Sequence, residues 1–239
     1  MKKICIIYPV SGADKDTLDA IEVYAKQTLS PDFQIDVAAI ENGFPAIETE
    51  IEGVVNGAEV AKLAYKKEKE GYDGILVFCF DDPGVTAARE VIDIPIIGLN
   101  EPSVSMALLV NEEATIITTD WYGVTCMRRK SIQGGYSQRL GKIIPLDLRP
   151  PVFDEGELIS KTVEICRELE KEKIRTAVLG CGATMFAAKE IKDKVKDEGI
   201  EVQLIEPVST SLILLEAIIR LGLQTGITST DVPMMNLNL

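Results

Sequence analysis

Short apolar runs alternate along the chain with longer segments whose apolar residues recur every three or four positions. The short runs are typical of buried strands, and the longer segments are typical of amphipathic helices. Strands are predicted at residues 4–8, 34–39, 72–80, 94–99, 114–119, 142–148, 175–180 and 200–205. Helices are predicted at residues 17–29, 54–70, 85–91, 122–134, 154–171, 186–197 and 212–221. Because the two kinds of element alternate, the pattern predicts parallel sheets with helices on both faces.

The same pattern runs through the chain twice. Three blocks of the first half recur in the same order in the second half: ICIIYPVSG resembles ATIITTDWYG, ILVFCFDDPG resembles AVLGCGATMF, and GLNEPSVSMALL resembles LIEPVSTSLILL. The repeat predicts an α/β fold of two Rossmann-like parallel-sheet halves, related by an approximate two-fold axis, with the active site in the cleft between them. We expect the first half to comprise residues 1–98 and 208–239, and the second half residues 99–207.

Cys79 and Cys181 each come at the end of a predicted buried strand. In open parallel sheets, ligands bind beyond the carboxyl ends of the strands, so we expect the two cysteines to enter one cleft from opposite sides. Both precede a predicted helix start, where backbone N–H groups can lower a thiol pKa, so that one thiolate is available near pH 7, and can also hold anionic oxygens. A thiolate could then remove a proton from a carbon next to a carbonyl, while the opposite thiol returns one. That reaction inverts the stereocentre and needs no cofactor.

Hydroxyl groups follow the first predicted strand of each half. Ser11 in the first half, and Thr118 and Thr119 in the second half, are candidate substrate ligands. Phe80 and Gly182, each next to one of the two cysteines, complete the predicted substrate site. The enolate formed during proton transfer requires preorganised hydrogen-bond donors, and a site at the strand ends can supply them.

The cysteines also have a purely structural interpretation. A free cysteine is often a small core residue, and Cys5 and Cys166 fit that description. For Cys79 alone, the core and the site are equally good interpretations. The matched position of Cys181 favours the site for both.

The acidic residues near the predicted strand ends have two interpretations as well. Asp81 and Asp82 could bind a metal, but a role in a turn and helix cap with Pro83-Gly84 is favoured, and no metal is expected. Glu101 and Glu206 could orient the thiols, or could act as loop or cap residues.

Composition excludes several classes of protein. The 239 residues contain no histidine, which excludes Ser-His-Asp and Cys-His catalysis and imidazole metal ligation. The five cysteines include no C-x-x-C pair and form an odd set, which argues against zinc, thioredoxin-type and disulfide-framework interpretations. A net charge of −13 argues against a nucleic-acid partner. No apolar run reaches the ~18 residues of a membrane span, and residues 1–12 resemble a first strand more than a signal peptide, so a cytoplasmic protein is expected.

Several sequence blocks are similar to motifs of one enzyme family. They are CFDDPG at 79–84 with AARE at 87–90, GFPAIET at 43–49, TT at 118–119, LGCG at 179–182 and PV at 207–208. From residue 3 to about 221, the chain resembles the aspartate/glutamate/hydantoin racemase superfamily, and most closely its hydantoin racemase branch. The resemblance implies two α/β halves and a cofactor-independent two-base mechanism with Cys79 and Cys181 as the catalytic pair. The chain departs from the family pattern at Tyr8, where an Asn is usual, and at GATM after the second cysteine, where A-G-M is usual.

The sequence therefore predicts a racemase or epimerase that acts on a hydantoin-like or amino-acid substrate. Three alternatives remain open: a small-molecule binding protein without turnover, a redox switch based on the two thiols, and a related isomerase or decarboxylase of the same superfamily. We expect a small-molecule substrate, no nucleic-acid or membrane partner, and a homo-oligomer.

Overall fold

The computed structural model describes residues 1–148 and 154–224. The chain divides into two compact units, one made of Met1–Gly98 with the segment from Ser211 onward, and the other of Leu99–Thr210. Each unit contains one four-stranded parallel sheet with flanking helices, which confirms the predicted α/β class. Residues 225–239, which the sequence analysis assigns to the first half, lie outside the described part of the chain.

The first unit follows a regular alternation of strand and helix. Its sheet has the order β2-β1-β3-β4, and apolar residues of β1, β3 and α2 form a buried cluster on one face. Its elements are β1 (Lys2–Tyr8), α1 (Lys15–Thr28), β2 (Phe33–Ala39), α2 (Glu50–Lys69), β3 (Gly74–Val77), α3 (Val85–Arg89) and β4 (Ile96–Ile97).

The second unit repeats this topology. Its sheet has the order β6-β5-β7-β8, so the first strand of each unit lies between the second and the third. Its elements are α4 (Asn100–Val110), β5 (Ala114–Thr118), α5 (Trp121–Gln133), a 3-10 turn (Ser137–Arg139), β6 (Leu140–Pro145), α6 (Glu155–Lys171), β7 (Thr176–Leu179), a 3-10 segment (Gly182–Phe186), α7 (Ala188–Asp197) and β8 (Gln203–Ile205). Across both described stretches, every helix is too short or too polar to span a bilayer.

Helix α8 (Pro207–Arg220) connects the second unit back to the first. In the first unit it packs closely on β3, because Gly74 has no side chain: a Cβ there would lie 2.6 Å from Cδ1 of Ile219 and 3.3 Å from Cδ1 of Leu215. The carboxylate of Glu216 accepts hydrogen bonds from the N–H and the hydroxyl of Ser30, at 3.2 and 2.7 Å. Apolar packing and this polar contact together hold α8 on the first unit.

Two helix boundaries differ from the predictions. Helix α2 begins at Glu50 rather than at residue 54. The sequence pattern missed its first turn because Ile51, Val54 and Val55 are exposed and form no buried apolar stripe. The predicted helix at 186–197 begins only at Ala188, since the residues before it form the 3-10 segment.

The predicted match between the two Glu-Pro blocks is wrong in detail. Ile96 pairs with the residue four before Cys79, and Leu204 pairs with the residue four before Cys181, so these two strand positions are equivalent. Pro102 follows the first by six residues, whereas Pro207 follows the second by only three. Strand pairing therefore makes Gly98, and not Glu101, the counterpart of Glu206.

A substitution at Gly74 tests the packing of α8. Overpacking typically costs about 1–3 kcal/mol, so we expect Gly74→Val to lower the free energy of unfolding in urea by that amount. The control is Gly141→Val, on the exposed edge strand β6, which should change it by less than about 0.5 kcal/mol. Equal losses in the two variants would contradict close packing of α8 on β3.

Candidate active site

Cys79 lies in a tight turn at the carboxyl end of β3. The pairing of β3 with β1 continues one residue past the strand, since the N–H of Phe78 donates to the carbonyl of Ile7 at 2.8 Å. The chain then turns, and the N–H of Asp82 donates to the carbonyl of Cys79 at 3.1 Å. The N–H of Asp81 points at the sulfur of Cys79, 3.4 Å away. The thiol is half-buried, and a backbone donor is aimed at it.

Cys181 has the same backbone setting in the second unit. The N–H of Gly180 donates to the carbonyl of Ile117 at 2.7 Å, which extends the pairing of β7 with β5 by one residue. The N–H and hydroxyl of Thr184 then donate to the carbonyl of Cys181, at 3.2 and 2.6 Å. In both units, the cysteine is the second residue after its strand, and its carbonyl accepts the N–H of the third residue after it. The predicted strand-cysteine-turn repeat is thus present in the structure.

Opposing influences act on the pKa of the Cys181 thiol. Burial raises the pKa of its thiol from 9.0 to about 11. The N–H groups of Ala183 and Thr184 lower this pKa in part, while the negative charge of Asp120 raises it. At Cys181, loss of hydration therefore outweighs the backbone donors. At neutral pH, the Cys181 thiol is therefore protonated.

The helix predicted after Cys79 begins at Val85, as expected, whereas a 3-10 segment precedes the helix predicted after Cys181. Cys181 is followed at once by the 3-10 segment Gly182–Phe186. Five residues separate Cys79 from α3, which is itself only five residues long. The donor at Cys79 is therefore a turn N–H rather than a helix N-terminus.

Ser11 stands at the carboxyl end of β1, the strand next to β3, and so on the same edge of the sheet as Cys79. Its N–H donates to the carbonyl of Phe44 at 3.1 Å, and its hydroxyl donates to the carbonyl of Gly43 at 2.9 Å. Because its one proton is used in this way, the hydroxyl offers only lone pairs to a ligand. Phe80, the other predicted ligand of this unit, has a buried side chain.

The predicted ligands of the second unit lie at the ends of β5 and β7. Thr118 and Thr119 are both buried, and the Thr118 hydroxyl rests against the backbone of Gly123 in the first turn of α5. Gly182 is buried at the start of the 3-10 segment. Asp120 caps α5 by accepting the N–H of Gly123 at 3.0 Å, and its charge acts on Cys181. Sequence analysis missed Asp120, although an Asp directly before a helix is a recognised cap signal.

Asn56 is a second residue that the sequence analysis missed. It lies on α2, fully buried, and its amide contacts the loops after β1 and β2. The available signal was its helical phase, since Asn56 shares a face with the buried Val60 and Ala64.

The acidic pair after Cys79 forms a turn, as predicted, but does not cap α3. Asp82 has a left-handed backbone with φ of 46°, and its carbonyl accepts the N–H of Val85 at 3.4 Å. Gly84 occupies the cap position of α3. The carboxyl group of Asp82 instead fills the space that a side chain on Gly98 would take. Within residues 1–148 and 154–224, no group of three or more acidic or cysteine side chains is arranged to hold a metal ion.

Glu206 occupies the position of the second unit that corresponds to Gly98. It is buried, and its carboxylate accepts the N–H groups of Val208 and Ser209 at 2.8 and 2.6 Å, at the beginning of α8. Of the roles that the sequence left open for Glu206, orienting a thiol or acting as a loop or cap residue, these contacts are those of a cap. Glu101, in contrast, is exposed in the first turn of α4. Each unit thus has a carboxyl group at the end of its fourth strand, supplied by Asp82 in one and by Glu206 in the other.

The remaining cysteines are interior residues. Cys5, Cys126 and Cys166 are 0–1% exposed. Burial raises the pKa of both Cys5 and Cys166 to about 12. Their thiols stay protonated at neutral pH, as suits the core role predicted for Cys5 and Cys166.

Comparison with known proteins relates the chain to a group of amino-acid and hydantoin isomerases. A family model described as Asp/Glu/Hydantoin racemase matches residues 4–212. A hydantoin racemase of Pseudomonas sp. (strain NS671) is 28% identical over 86% of this chain and 82% of its own length. A hydantoin racemase of Paenarthrobacter aurescens is 24% identical over 94% of each chain. The structure of allantoin racemase from Klebsiella pneumoniae superposes with a TM-score of 0.84 and 26% identity, over 97% of this chain and 95% of the other.

The raised pKa of Cys181 can be tested by alkylation. In a Cys79→Ser variant, we expect the rate of iodoacetamide modification of Cys181 to rise about tenfold per pH unit between about pH 8 and pH 10, because only the thiolate reacts. Mass spectrometry of the Cys181 peptide measures this rate without interference from the buried thiols. The control is the urea-unfolded chain, in which the rate should level off above pH 9. A plateau below pH 9 in the folded protein would contradict the raised pKa.

Proposed function

The chain belongs to the Asp/Glu/hydantoin racemase family, and we propose that it is a cofactor-independent racemase that uses Cys79 and Cys181 as its acid–base pair. Family membership makes the protein an isomerase. The observation that carries the two-cysteine proposal is the matched backbone setting: each thiol is the second residue after the third strand of its unit, at the carboxyl edge where parallel sheets bind ligands.

The proposed reaction inverts a carbon that bears one hydrogen and is bonded to a carbonyl group. In one direction, the Cys79 thiolate removes the hydrogen as a proton, and the electron pair of the broken C–H bond passes into the carbonyl to form an enolate. The Cys181 thiol then gives its proton to the opposite face of the carbon. The step leaves Cys79 protonated and Cys181 as the thiolate, so the reverse direction uses the same groups with their roles exchanged.

The state of Cys181 supports its role as the acid in the first direction. A thiol with a pKa of about 11 is protonated before the substrate arrives. The N–H groups of Ala183 and Thr184, which lower its pKa, stabilise the thiolate that remains after the proton has left. Burial raises the pKa of Cys181 and the backbone donors lower it, so the donors limit the free-energy cost of ionising its sulfur.

The proposed substrate is a cyclic ureide such as a 5-substituted hydantoin. Hydantoin racemases and an allantoin racemase that are 24–28% identical to this chain are among the relatives that cover most of it. The Ser11 hydroxyl supports this choice, because its proton is bonded to the carbonyl of Gly43 and its free lone pairs suit a ring N–H better than a carboxylate oxygen. The homo-oligomer expected from the sequence remains part of the proposal.

Deuterium exchange tests the mechanism. In D₂O, the wild-type protein should incorporate deuterium at C5 of one enantiomer of a 5-alkylhydantoin, with NMR and chiral chromatography as the readouts. Positioned acid–base groups typically contribute about 10²–10⁴-fold in rate, so Cys79→Ser and Cys181→Ser should each lower racemisation by at least about 100-fold. The matched control is Cys166→Ser, because Cys166 is buried among core residues of α6.

Three outcomes of this experiment decide between the proposal and its alternatives. Racemisation at the wild-type rate in both single variants would show that the thiols are not the acid–base pair. Tight binding of hydantoins with no deuterium exchange by the wild-type protein would favour a binding protein without turnover. Exchange with allantoin, aspartate or glutamate but with no hydantoin would keep the mechanism and replace the substrate.

A further inference from the structure

The first half of helix α2 has its polar side inward. Asn56 is fully buried and Gly57 is buried beside it, while Ile51 and Val54 on the outer face are 63% and 60% exposed. A buried amide left without hydrogen bonds would cost about 1–3 kcal/mol. The reason for this inverted pattern therefore lies in the groups that Asn56 contacts.

The side chain of Asn56 joins two loops of the first unit. Its Nδ2 donates to the carbonyl of Pro9 at 2.9 Å, in the loop after β1, and to the carbonyl of Phe44 at 3.0 Å, in the loop after β2. Its Oδ1 accepts the N–H of Phe44 at 2.7 Å. Both polar atoms of the amide are thus used, and every contact is to backbone.

These contacts fix the predicted substrate ligand Ser11. The carbonyl of Phe44 that accepts the Asn56 amide also accepts the N–H of Ser11 at 3.1 Å. The Ser11 hydroxyl donates to the carbonyl of Gly43, and Gly43 must lack a side chain because a Cβ would lie 2.5 Å from Oδ1 of Asn56. The place and the orientation of the Ser11 hydroxyl therefore depend on the Asn56 amide.

The next residue of the helix contacts the third loop. A Cβ on Gly57 would lie 2.8 Å from the backbone nitrogen of Gly84, which ends the turn that begins at Cys79. This close approach requires glycine at both positions. Asn56 and Gly57 together contact the loops that follow β1, β2 and β3, three successive strands of the sheet, and the last of these loops contains Cys79.

We propose that Asn56 is a positioning residue of the racemase, which sets where Ser11 and Phe44 stand relative to Cys79 without touching the reacting atoms. This inference rests on the proposed function, because it treats that edge of the sheet as the place where substrate binds. Loss of the amide donors shifts the substrate ligands and leaves the thiol chemistry in place. The substrate affinity should therefore fall more than the rate of proton transfer.

The informative variant is Asn56→Asp, which has almost the same volume and keeps an oxygen for the N–H of Phe44. It replaces the two N–H donors with an oxygen that faces the carbonyls of Pro9 and Phe44. We expect KM for a 5-alkylhydantoin to rise at least about tenfold, with kcat reduced less than about threefold, which is the signature of lost binding shared by ground state and transition state. Gly43→Ala disturbs the same contact from its other side and should give the same KM defect.

The control variant is Gly71→Ala, at the other end of α2. Gly71 has a φ of +83° and nothing within 4 Å of an added Cβ, so the change strains the backbone of the same unit away from the strand ends. It should lower stability but leave KM unchanged. A wild-type KM in Asn56→Asp would overturn the proposal. So would a loss of kcat at unchanged KM, because that pattern reports a smaller folded fraction.

Hydrogen exchange separates this inference from the proposed function. In Asn56→Ala, the amides of Ser11 and Phe44 should exchange faster than in the wild-type protein, and in Asn56→Asp the amide of Ser11 should do so, while those of β1 keep their protection. Unchanged exchange at both residues would overturn the positioning role even if the protein is a racemase. Faster exchange in a protein that moves no proton on any substrate would reject the proposed function and uphold the role of Asn56 in holding the loops.

Discussion

Parallel pairing that continues one residue beyond the third strand of each unit determines the geometry of the candidate site. The hydrogen bond from Phe78 to Ile7 in the first unit, and that from Gly180 to Ile117 in the second, hold the chain extended up to the residue before each cysteine. The turn that follows then carries the thiol out of the sheet, toward the edge where parallel strands leave room for a ligand. The backbone therefore places the two sulfurs, and the side chains around them adjust their chemistry.

Cys79 and Cys181 have similar backbone positions, but the side chains around them create different environments. Around Cys181, burial, backbone N–H groups and the charge of Asp120 all act on one thiol, and burial dominates. Around Cys79, the adjacent turn holds Asp82 in a left-handed conformation and directs its carboxyl group into the space beside Gly98. The proposed two-base mechanism needs one protonated and one ionised group at the start of each turnover, and the surroundings of Cys181 keep its thiol protonated.

Much of the fold and part of the site could be predicted from the sequence, for a physical reason. Strand-helix alternation and the repeated strand-cysteine-turn pattern are local, and local patterns identified both units and both thiols. The ionisation of Cys181 depends on how much water burial removes, which no motif states. The two Glu-Pro blocks are similar in sequence, but the strand register shows that the position equivalent to Glu206 in the first unit is Gly98. The role of Asn56 could not be predicted because its partners are backbone groups in the loops after β1 and β2, and only its helical phase with Val60 indicated that it is buried.

The discontinuous first unit has a consequence for how the chain acquires its structure. Residues 1–98 leave the ribosome first, yet the segment of α8 that packs on Gly74 and accepts hydrogen bonds from Ser30 is made more than a hundred residues later. Until then, that face of the nascent sheet lacks its covering helix, whereas residues 99–210 form one uninterrupted stretch that can mature as soon as it emerges. Domains generally fold as units during synthesis, N-terminal first. Here the second unit can be completed before the first, because α8, the last helix within the described residues, belongs in part to the unit that was made first.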